Sequence, residues 1–311
     1  MSDLARLIVI LGPTASGKSA LGISLAGHFA GEVVVCDATQ VYRYFDIGTA
    51  KVPHAEQRNI PHHLVDLVEP VEIFTAGEYR KRALIVLDHL RRRGKLPILT
   101  AGTGLYLRAL LEGLADAPTR SEELRNRLRR IAELRGPEHL HSILIRLDPA
   151  IAARVASRDT QKVIRAIEMR ILAGKSVQEI HGSGRTGLTG YKVLKIGLNP
   201  PRAALYARIH SRVQSMLTAG WIDETRHLIA RGIPADAKPF QFIGYSQIRT
   251  HLDAGLSREE ATTQIQQATR RFAKRQLTWF RKEPDVHWLQ GFGDAPETLA
   301  SALQYLQSES L

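Results

Sequence analysis

Gly12-Pro13-Thr14-Ala15-Ser16-Gly17-Lys18-Ser19 is the stretch that decides the fold. Its spacing, G-x-x-x-x-G-K-[ST], is that of a loop whose glycines let successive backbone N–H groups point at phosphate oxygens. Residues 7–11 before it form an apolar run typical of a strand buried on both faces, and residues 20–29 after it have the apolar spacing of a helix. We therefore predict a phosphate-binding loop in which Lys18 neutralises the outer phosphate and the Ser19 hydroxyl binds Mg²⁺.

Strands and helices alternate beyond this loop. Residues 33–36 and 96–100 form two more apolar runs, and helical spacing recurs at 84–90 and 105–111. This alternation predicts an α/β fold, a P-loop NTPase-like doubly wound parallel sheet, whose ligands bind at the carboxyl ends of the strands.

The pattern changes near Pro118. Residues 121–135 place leucine and isoleucine on one helical face and arginines over much of the rest, and a strand pattern returns only at 192–198. We therefore predict a helical insertion domain within the α/β fold. The predicted boundaries are 1–116 and 191–311 for the catalytic core with its C-terminal helices, and 117–190 for the insertion.

Composition favours a cytoplasmic protein with a polyanionic partner. The 311 residues include 43 Lys and Arg against 31 Asp and Glu, a formal charge of +12. This balance favours nucleic acid or a phosphate-bearing surface as a partner. The single cysteine, Cys36, excludes an intrachain disulfide and is expected to be a buried core residue. The sequence carries neither a secretory signal pattern nor an apolar stretch of membrane-spanning length, so no membrane partner is expected.

Asp37 follows the apolar run at 33–36 and has two possible roles. A carboxylate at the end of a strand binds Mg²⁺ in nucleotidases, and it could equally act as a general base for an acceptor. A surface cap after the strand is the structural alternative. The phosphate loop does not identify the molecule that carries the phosphates. On these residues alone, a small-molecule or nucleotide kinase and a nucleic-acid-binding NTPase both remain possible.

Several later segments follow the loop in a characteristic order: Asp37–Arg43, Asp46–Lys51, Pro61–Asp66, Ala101–Tyr106, Ile243–Tyr245 and Ala273–Arg281. With the loop, this ordered set resembles the tRNA dimethylallyltransferase family, from Leu7 to about Trp288. The resemblance implies transfer of the dimethylallyl group of dimethylallyl diphosphate to N6 of adenine 37, beside the anticodon, with release of diphosphate. The substrates would be tRNAs that read codons beginning with U. The expected partners are dimethylallyl diphosphate and the tRNA anticodon stem-loop, and the expected state is a monomer without an obligate protein partner.

The resemblance also assigns residues. The loop Gly12–Ser19 would hold the diphosphate, Asp37 would accept the proton of the adenine amine, Thr103 would lie beside the reacting atoms, and Arg226 would lie near the diphosphate. The residues that the resemblance brings into contact with tRNA are Asp37, Ala38, Thr39, Gln40, Thr103, Arg125, Gln161, Lys162, Arg165, Gln241, Phe242, Ile243, Gly244, Tyr245, Ser246, Lys274, Arg275, Gln276, Thr278, Trp279 and Arg281.

Two positions depart from the family pattern. Ala38 stands where the family usually has serine, so a hydroxyl contact to the base is missing or is replaced by Thr39. Lys162 stands where arginine is frequent, which keeps the charge but loses bidentate recognition. Both departures concern contacts with tRNA and leave the expected reaction unchanged.

Overall fold

The computed structural model describes residues 4–182 and 184–309. Residues 1–3 and 310–311 of the predicted core domain and Ser183 of the predicted insertion therefore lie outside the described residues. Packing of Cα atoms separates two compact units. One unit is Glu112–Gly187, called the helical unit below, and the other holds the described residues before and after it, called the core unit.

The core unit is built on a six-stranded parallel sheet with the strand order β3-β2-β4-β1-β5-β6. The strands are β1 Ala5–Leu11, β2 Glu32–Cys36, β3 His62–His63, β4 Pro97–Ala101, β5 Tyr191–Leu198 and β6 Val286–Leu289. The predicted α/β fold is confirmed. The edge strands β3 and β6 were not predicted, because two and four residues are too few to show a periodic pattern.

The helices are α1 Lys18–His28, α2 Ala76–Arg92, α3 Gly104–Leu111, α4 Glu122–Arg135, α5 Pro137–Leu147, α6 Pro149–Ala152, α7 Thr160–Ala173, α8 Val177–Gly182, α9 Arg202–Thr218, α10 Trp221–Ala230, α11 Tyr245–Leu252, α12 Arg258–Phe280 and α13 Pro296–Ser308. Helices α4 to α8 belong to the helical unit. Along the described ranges, no helix is both long enough and apolar enough to cross a bilayer.

Both faces of the sheet are covered by helices. Leu21 of α1 and Leu306 of α13 belong to the apolar cluster on one face, together with Ile8 and Ile10 of β1. Leu87 of α2 belongs to the cluster on the other face. Burial on both faces explains why the central strands read as continuous apolar runs.

The sheet brings three chain segments to one edge. Strands β1, β2 and β4 are adjacent and parallel, so their carboxyl ends lie side by side. The residues that follow these ends are Gly12, Asp37 and Gly102. This edge is where ligands of doubly wound sheets bind, and it carries the candidate site.

Candidate active site

The phosphate loop connects β1 to α1. It closes at Gly17, whose φ of 88° lies in the left-handed region, immediately before the first residue of α1. A Cβ on Gly17 would approach the backbone nitrogen of Gly293 to 2.7 Å. Glycine is therefore needed here both for the backbone conformation and for the close packing of the loop against residue 293.

Polar groups of the loop are poorly satisfied by the protein itself. The Ser16 hydroxyl is buried without a hydrogen-bond partner among the described residues, and Lys18 Nζ donates to the Pro13 carbonyl at 2.8 Å. Burial lowers the pKa of the Lys18 ammonium to about 7; the Asp37 carboxylate opposes this shift and the Arg212 guanidinium adds to it. A bound polyanion would give Ser16 an acceptor and Lys18 a counter-charge.

Asp37 follows β2 directly and is held by a residue two places further on. Thr39 donates two hydrogen bonds to Asp37 Oδ1, from its backbone N–H at 2.8 Å and from its hydroxyl at 2.6 Å. The other oxygen, Oδ2, faces Gly102, where any Cβ would collide with it. One carboxylate oxygen is thus fixed locally, and the other faces the turn after β4.

The turn after β4 is attached to the end of β2. The N–H groups of Gly102 and Thr103 both donate to the Cys36 carbonyl, at 3.0 and 3.1 Å. The Thr103 hydroxyl accepts a hydrogen bond from the Ala38 N–H at 2.9 Å. The structure therefore brings Asp37, Ala38 and Thr103 together, and Ala38 takes part through its backbone, which the departure from serine does not alter.

Cys36 itself is fully buried. Burial raises the pKa of its thiol to about 12, so the reactive thiolate is not formed near neutral pH.

Gln40 lies on the loop after Asp37, where its amide nitrogen donates to the carbonyls of Thr49 and Ala50 at 3.1 and 3.3 Å. Gln40 and Ser19 line the same small cavity, which brings the segment after Asp37 next to the phosphate loop.

Gln276 joins the two parts of the site. From α12, its Oε1 accepts from the N–H of Thr14 at 2.7 Å and its Nε2 donates to the Gly102 carbonyl at 2.8 Å. The residue is only 6% exposed. Its amide is buried and engaged at both ends in linking the phosphate loop to the turn after β4, and its contact with tRNA stays a prediction.

Arg226, predicted beside the diphosphate, has a different environment. Its side chain on α10 is 59% exposed and forms an ion pair with Asp223. The guanidinium that interacts electrostatically with both Lys18 and Asp37 is that of Arg212, half-buried on α9. Arg226 therefore stays a prediction from the resemblance, and Arg212 is a further candidate for the diphosphate site. In the sequence, Arg212 was only one of several arginines on a predicted helix, and it carried no motif that would have selected it.

A C-terminal segment packs on the outside of the phosphate loop. The Gly293 N–H donates to the Ser16 carbonyl at 2.8 Å. The neighbouring Asp294 accepts two hydrogen bonds from Arg208, at 2.7 and 2.6 Å, and the same guanidinium lies 4.6 Å from the ring centroid of Phe292. Arg208 lies one turn before Arg212, so α9 presents two arginines towards the loop and its packing segment.

The stretch 241–246, predicted to contact tRNA, is partly internal. Tyr245 is fully buried; its hydroxyl donates to Glu224 at 2.5 Å and accepts from the Gly48 N–H at 3.1 Å. Burial and the Glu224 carboxylate raise the pKa of Tyr245 far above its usual value. Gly244 has a φ of 95°, and any Cβ there would collide with the Trp221 indole. Tyr245 and Gly244 therefore support the loop around Gly48 from inside, and their contact with RNA stays a prediction.

The remaining residues of this stretch are more accessible. Gln241 is exposed, and Phe242, Ile243 and Ser246 are half-buried. The Phe242 ring packs against Tyr42 with 5.7 Å between ring centroids. These four residues stay in the predicted interface with tRNA.

The end of α12 combines exposed and packed residues. Its exposed members from the predicted tRNA set are Lys274, Arg275, Thr278 and, just past the helix, Arg281. Trp279 is half-buried against Gly104, where a Cβ would collide with the indole, and Arg108 lies 4.8 Å from its ring centroid. The four exposed polar residues have the accessibility that an RNA contact requires.

The helical unit contains a buried ion-pair cluster. Glu168 is fully buried and accepts from the Arg125 guanidinium at 2.8 and 2.7 Å, from Arg165 at 2.6 Å and from the Ser121 N–H at 2.8 Å. Burial alone would raise the pKa of Glu168, but these donors outweigh it and lower the pKa to about 2. Arg125 is buried in this pair, which gives it a structural role, and its contact with tRNA stays a prediction.

The other predicted residues of the helical unit are more accessible. Gln161 and Lys162 are exposed in the first turn of α7, where Lys162 pairs with Asp159 at 2.6 Å. Arg165, one turn further on, is half-buried, and its guanidinium contacts Glu168 and the Pro118 carbonyl. Gln161 and Lys162 are therefore the members of this set whose side chains are exposed to a partner.

Comparison with known proteins gives one consistent result. The family model described as IPP transferase matches residues 40–283. The chain is 50% identical to the tRNA dimethylallyltransferase of Koribacter versatilis over 99% of this chain and 100% of that one. It is 48% identical to the tRNA dimethylallyltransferase of Solibacter usitatus over 96% of each.

Solved structures agree with the sequence relatives. The full-length tRNA isopentenylpyrophosphate transferase of Bacillus halodurans superposes with a TM-score of 0.72 at 35% identity, covering 97% of this chain and 96% of that one. A eukaryotic dimethylallyltransferase acting on tRNA superposes with a TM-score of 0.82 at 27% identity, covering 98% of this chain and 80% of that one.

Proposed function

Because the chain belongs to the IPP transferase family, whose members among its relatives are tRNA dimethylallyltransferases, we propose that it transfers the dimethylallyl group of dimethylallyl diphosphate to N6 of an adenine in tRNA. It is a prenyl transferase; the kinase and NTPase alternatives are not supported by any of these relatives. The finer proposal is that the target is adenine 37, beside the anticodon, in tRNAs that read codons beginning with U.

One observation carries the chemical part of the proposal. The diphosphate-type loop and the carboxylate of Asp37 lie at the same edge of the sheet, and Gln276 connects the loop to the turn that Asp37 faces. A leaving-group site and a proton acceptor at adjacent strand ends are what transfer of an allylic group to an amine needs.

Departure of diphosphate is the first requirement. When the allylic carbon–oxygen bond breaks, negative charge grows on the diphosphate oxygens. The loop N–H groups at the start of α1 and the cations Lys18 and Arg212 oppose that charge, and the buried Ser16 hydroxyl can donate to an oxygen. Binding an anion also returns Lys18 to its charged form, since the counter-charge raises its pKa.

Activation of the amine is the second requirement. The adenine amine is a weak nucleophile because its lone pair is delocalised into the ring. We assign Asp37 Oδ2 as the acceptor of its proton as the new carbon–nitrogen bond forms, with Thr39 holding Oδ1 in place. Thr103, attached to Ala38, would border the same space.

Mg²⁺ is proposed as the metal of this site. The half-buried Ser19 lies in the first turn of α1, and its hydroxyl together with diphosphate oxygens makes the hard oxygen donor set that Mg²⁺ prefers. When bound, the ion would neutralise charge on the departing diphosphate. Asp37 remains the second candidate ligand, as an alternative or an addition to its role as a base.

Contact with tRNA is proposed for the accessible members of the predicted set. The target base must leave its stacked loop to reach an internal carboxylate, so the enzyme needs cations for phosphates and polar groups for unstacked bases. We assign these roles to accessible residues of both units: Lys274, Arg275, Thr278, Arg281, Gln241, Phe242, Ile243 and Ser246 in the core unit and Gln161 and Lys162 in the helical unit. We further propose that the helical unit binds the anticodon stem-loop and that the protein acts as a cytoplasmic monomer.

The test is a direct assay of the transfer. Purified protein is mixed with Mg²⁺, dimethylallyl diphosphate and an unmodified anticodon stem-loop carrying three consecutive adenines, and the RNA is weighed by mass spectrometry. A gain of one dimethylallyl unit is expected, abolished by Asp37→Ala and retained by Asp88→Asn, which changes a half-buried carboxylate on α2 that pairs only with Arg91 and Arg92 among the described residues. RNA of unchanged mass, together with release of phosphate from ATP, would contradict the proposal and favour an NTPase or kinase.

A further inference from the structure

A groove on the core unit carries positive charge, of which the proposed function has used only that of Lys274. It opens between α9 and α12, encloses about 500 Å³, and is called the α9–α12 groove below. Its lining residues are Arg202, Tyr206, Gln267, Arg270, Arg271 and Lys274. Its size suits a small ligand, and every charged residue of this lining is a cation.

The cations of the groove lack counter-charges. Within the described ranges, none of the four lies in an ion pair with a carboxylate. Arg202 and Arg270 share one aromatic surface, at 5.2 and 5.8 Å from the ring centroid of Tyr206. Arg270 also contacts His210 Nε2 at 2.6 Å, so its nearest polar neighbour is a histidine rather than an acid. Like charges held together raise the local potential, and a bound polyanion would relieve their repulsion.

The two helices that form the groove also border the phosphate loop. Ala15 of the loop packs in one apolar cluster with Leu205 and Ile209 of α9 and with Ala273 of α12. Tyr206, whose ring carries the two arginines, packs against this same cluster. The groove and the outer side of the phosphate loop are therefore neighbours that share one layer of side chains.

The order of contacts along α12 shows which part of the active site the groove adjoins. Trp279 packs at the turn that carries Thr103, and Ala273 packs at the phosphate loop. Arg271 comes eight residues before Trp279, which is about 12 Å along a helix that rises 1.5 Å per residue. Along α12, the groove therefore lies beyond the phosphate loop and farther from Thr103. It adjoins the part of the site assigned to the diphosphate. This position favours the prenyl donor over RNA as its ligand.

We propose that the α9–α12 groove is a capture site for the diphosphate group of the prenyl donor, from which the donor passes to the phosphate loop. This inference rests on the proposed function. The guanidinium groups of Arg202, Arg270 and Arg271 offer paired donors to diphosphate oxygens, and the collected charge raises the rate of encounter with a small anion. The groove makes no bond and breaks none.

The experiment measures association kinetics in the full-length protein. Dimethylallyl diphosphate and, separately, inorganic diphosphate are mixed rapidly with protein, and tryptophan fluorescence is followed over a range of salt concentrations. The test variant is Arg202→Gln/Arg271→Gln. The matched control, Lys81→Gln/Arg92→Gln, removes the same charge from exposed positions of α2. Unchanged melting temperatures establish that both variants fold.

The test variant is expected to lower the association rate constant about fivefold at low salt, with the difference vanishing near ~1 M salt, where charges beyond a few ångströms are screened. The dissociation rate constant and the affinity for the stem-loop stay unchanged. If the test variant associates with the diphosphates at the same rate as the control variant, the capture site is overturned. If the test variant instead loses affinity for the stem-loop, the groove is an RNA-binding surface. Wild-type protein that binds neither diphosphate contradicts the proposed function itself.

Discussion

The side-chain oxygen of Gln276 accepts a hydrogen bond from the backbone N–H of Thr14 at 2.7 Å, although the two residues are 262 positions apart in the chain. A residue of α12, late in the chain, thereby holds the phosphate loop near the N-terminus in place. The other end of the same amide holds the Gly102 carbonyl.

Replacing Gln276 with leucine is expected to weaken binding of dimethylallyl diphosphate. The substitution keeps the apolar volume but leaves a buried N–H and a buried carbonyl without partners, at about 1–3 kcal/mol each. Titration calorimetry should give a Kd for the diphosphate raised at least about tenfold, with the Kd for the stem-loop unchanged. Gln276→Glu keeps only the acceptor for the Thr14 N–H, and its Kd for the diphosphate should lie between those of the wild type and Gln276→Leu. Loss of RNA affinity with normal diphosphate binding would instead support the predicted contact of Gln276 with tRNA.

Diphosphate binding is expected to weaken as pH rises above 7. In the free protein the pKa of Lys18 is about 7, so the ammonium loses its proton above that pH, while the bound anion needs it charged. Binding therefore takes up a proton, and Kd rises with pH, by at most about tenfold per unit. Inorganic diphosphate titrated between pH 7 and 9 measures this. Lys18→Arg, which stays charged, should flatten the curve, and a Kd of the wild type that does not change with pH would contradict the argument.

Arg212 and Arg226 are expected to differ sharply on substitution. Arg212→Gln removes a cation that interacts with both Lys18 and Asp37, so kcat/KM should fall about a hundredfold, as for loss of one stabilising donor to a developing anion. Arg226→Gln removes only an exposed partner of Asp223 and should leave kcat/KM within about twofold. Steady-state rates of the two variants, measured side by side, decide between these residues. Equal losses of kcat/KM in the two variants would support the predicted place of Arg226 in the site.

Thr39→Val is expected to lower kcat without a comparable change in KM for the prenyl donor. Valine preserves the shape and the backbone N–H bond to Asp37 but removes the 2.6 Å hydroxyl bond that holds Oδ1. A loss of about tenfold in kcat corresponds to one hydrogen bond to a charged group. Thr39→Ser keeps the hydroxyl and should retain most of the activity, and an equally slow serine variant would point to packing instead.

The helical unit is expected to lose stability in acid as Glu168 is protonated. Its pKa is lowered to about 2 in the folded protein, so its contribution is complete above the ordinary value of 4.5 and is lost as pH falls from there to about 2. Circular dichroism of the wild type and of an apolar pair, Arg125→Met/Glu168→Leu, between pH 7 and 2 measures this. The pair should lose less stability across that range, and stem-loop binding retained at neutral pH would support a structural role for Arg125.

The sequence by itself determined the phosphate loop, the parallel sheet and the position of Asp37, because each depends on neighbours in the chain. A glycine spacing, an apolar run and a residue at the end of a strand are local features, and parallel pairing then brings the ends of β1, β2 and β4 to one edge. The short edge strands lay outside its reach, since strands of two and four residues carry no period.

Only the tertiary structure decided which polar side chains face inward. Gln276 and Lys274 stand two residues apart on α12, yet one is buried in the site and the other is exposed, because the phosphate loop packs on a single face of that helix. Arg212 became a candidate for the same reason: it lies on α9, and only the packing of distant segments brings its charge within electrostatic range of Lys18 and Asp37. Side-chain direction on a helix is fixed by what packs against it, and that partner is not encoded in the neighbouring sequence.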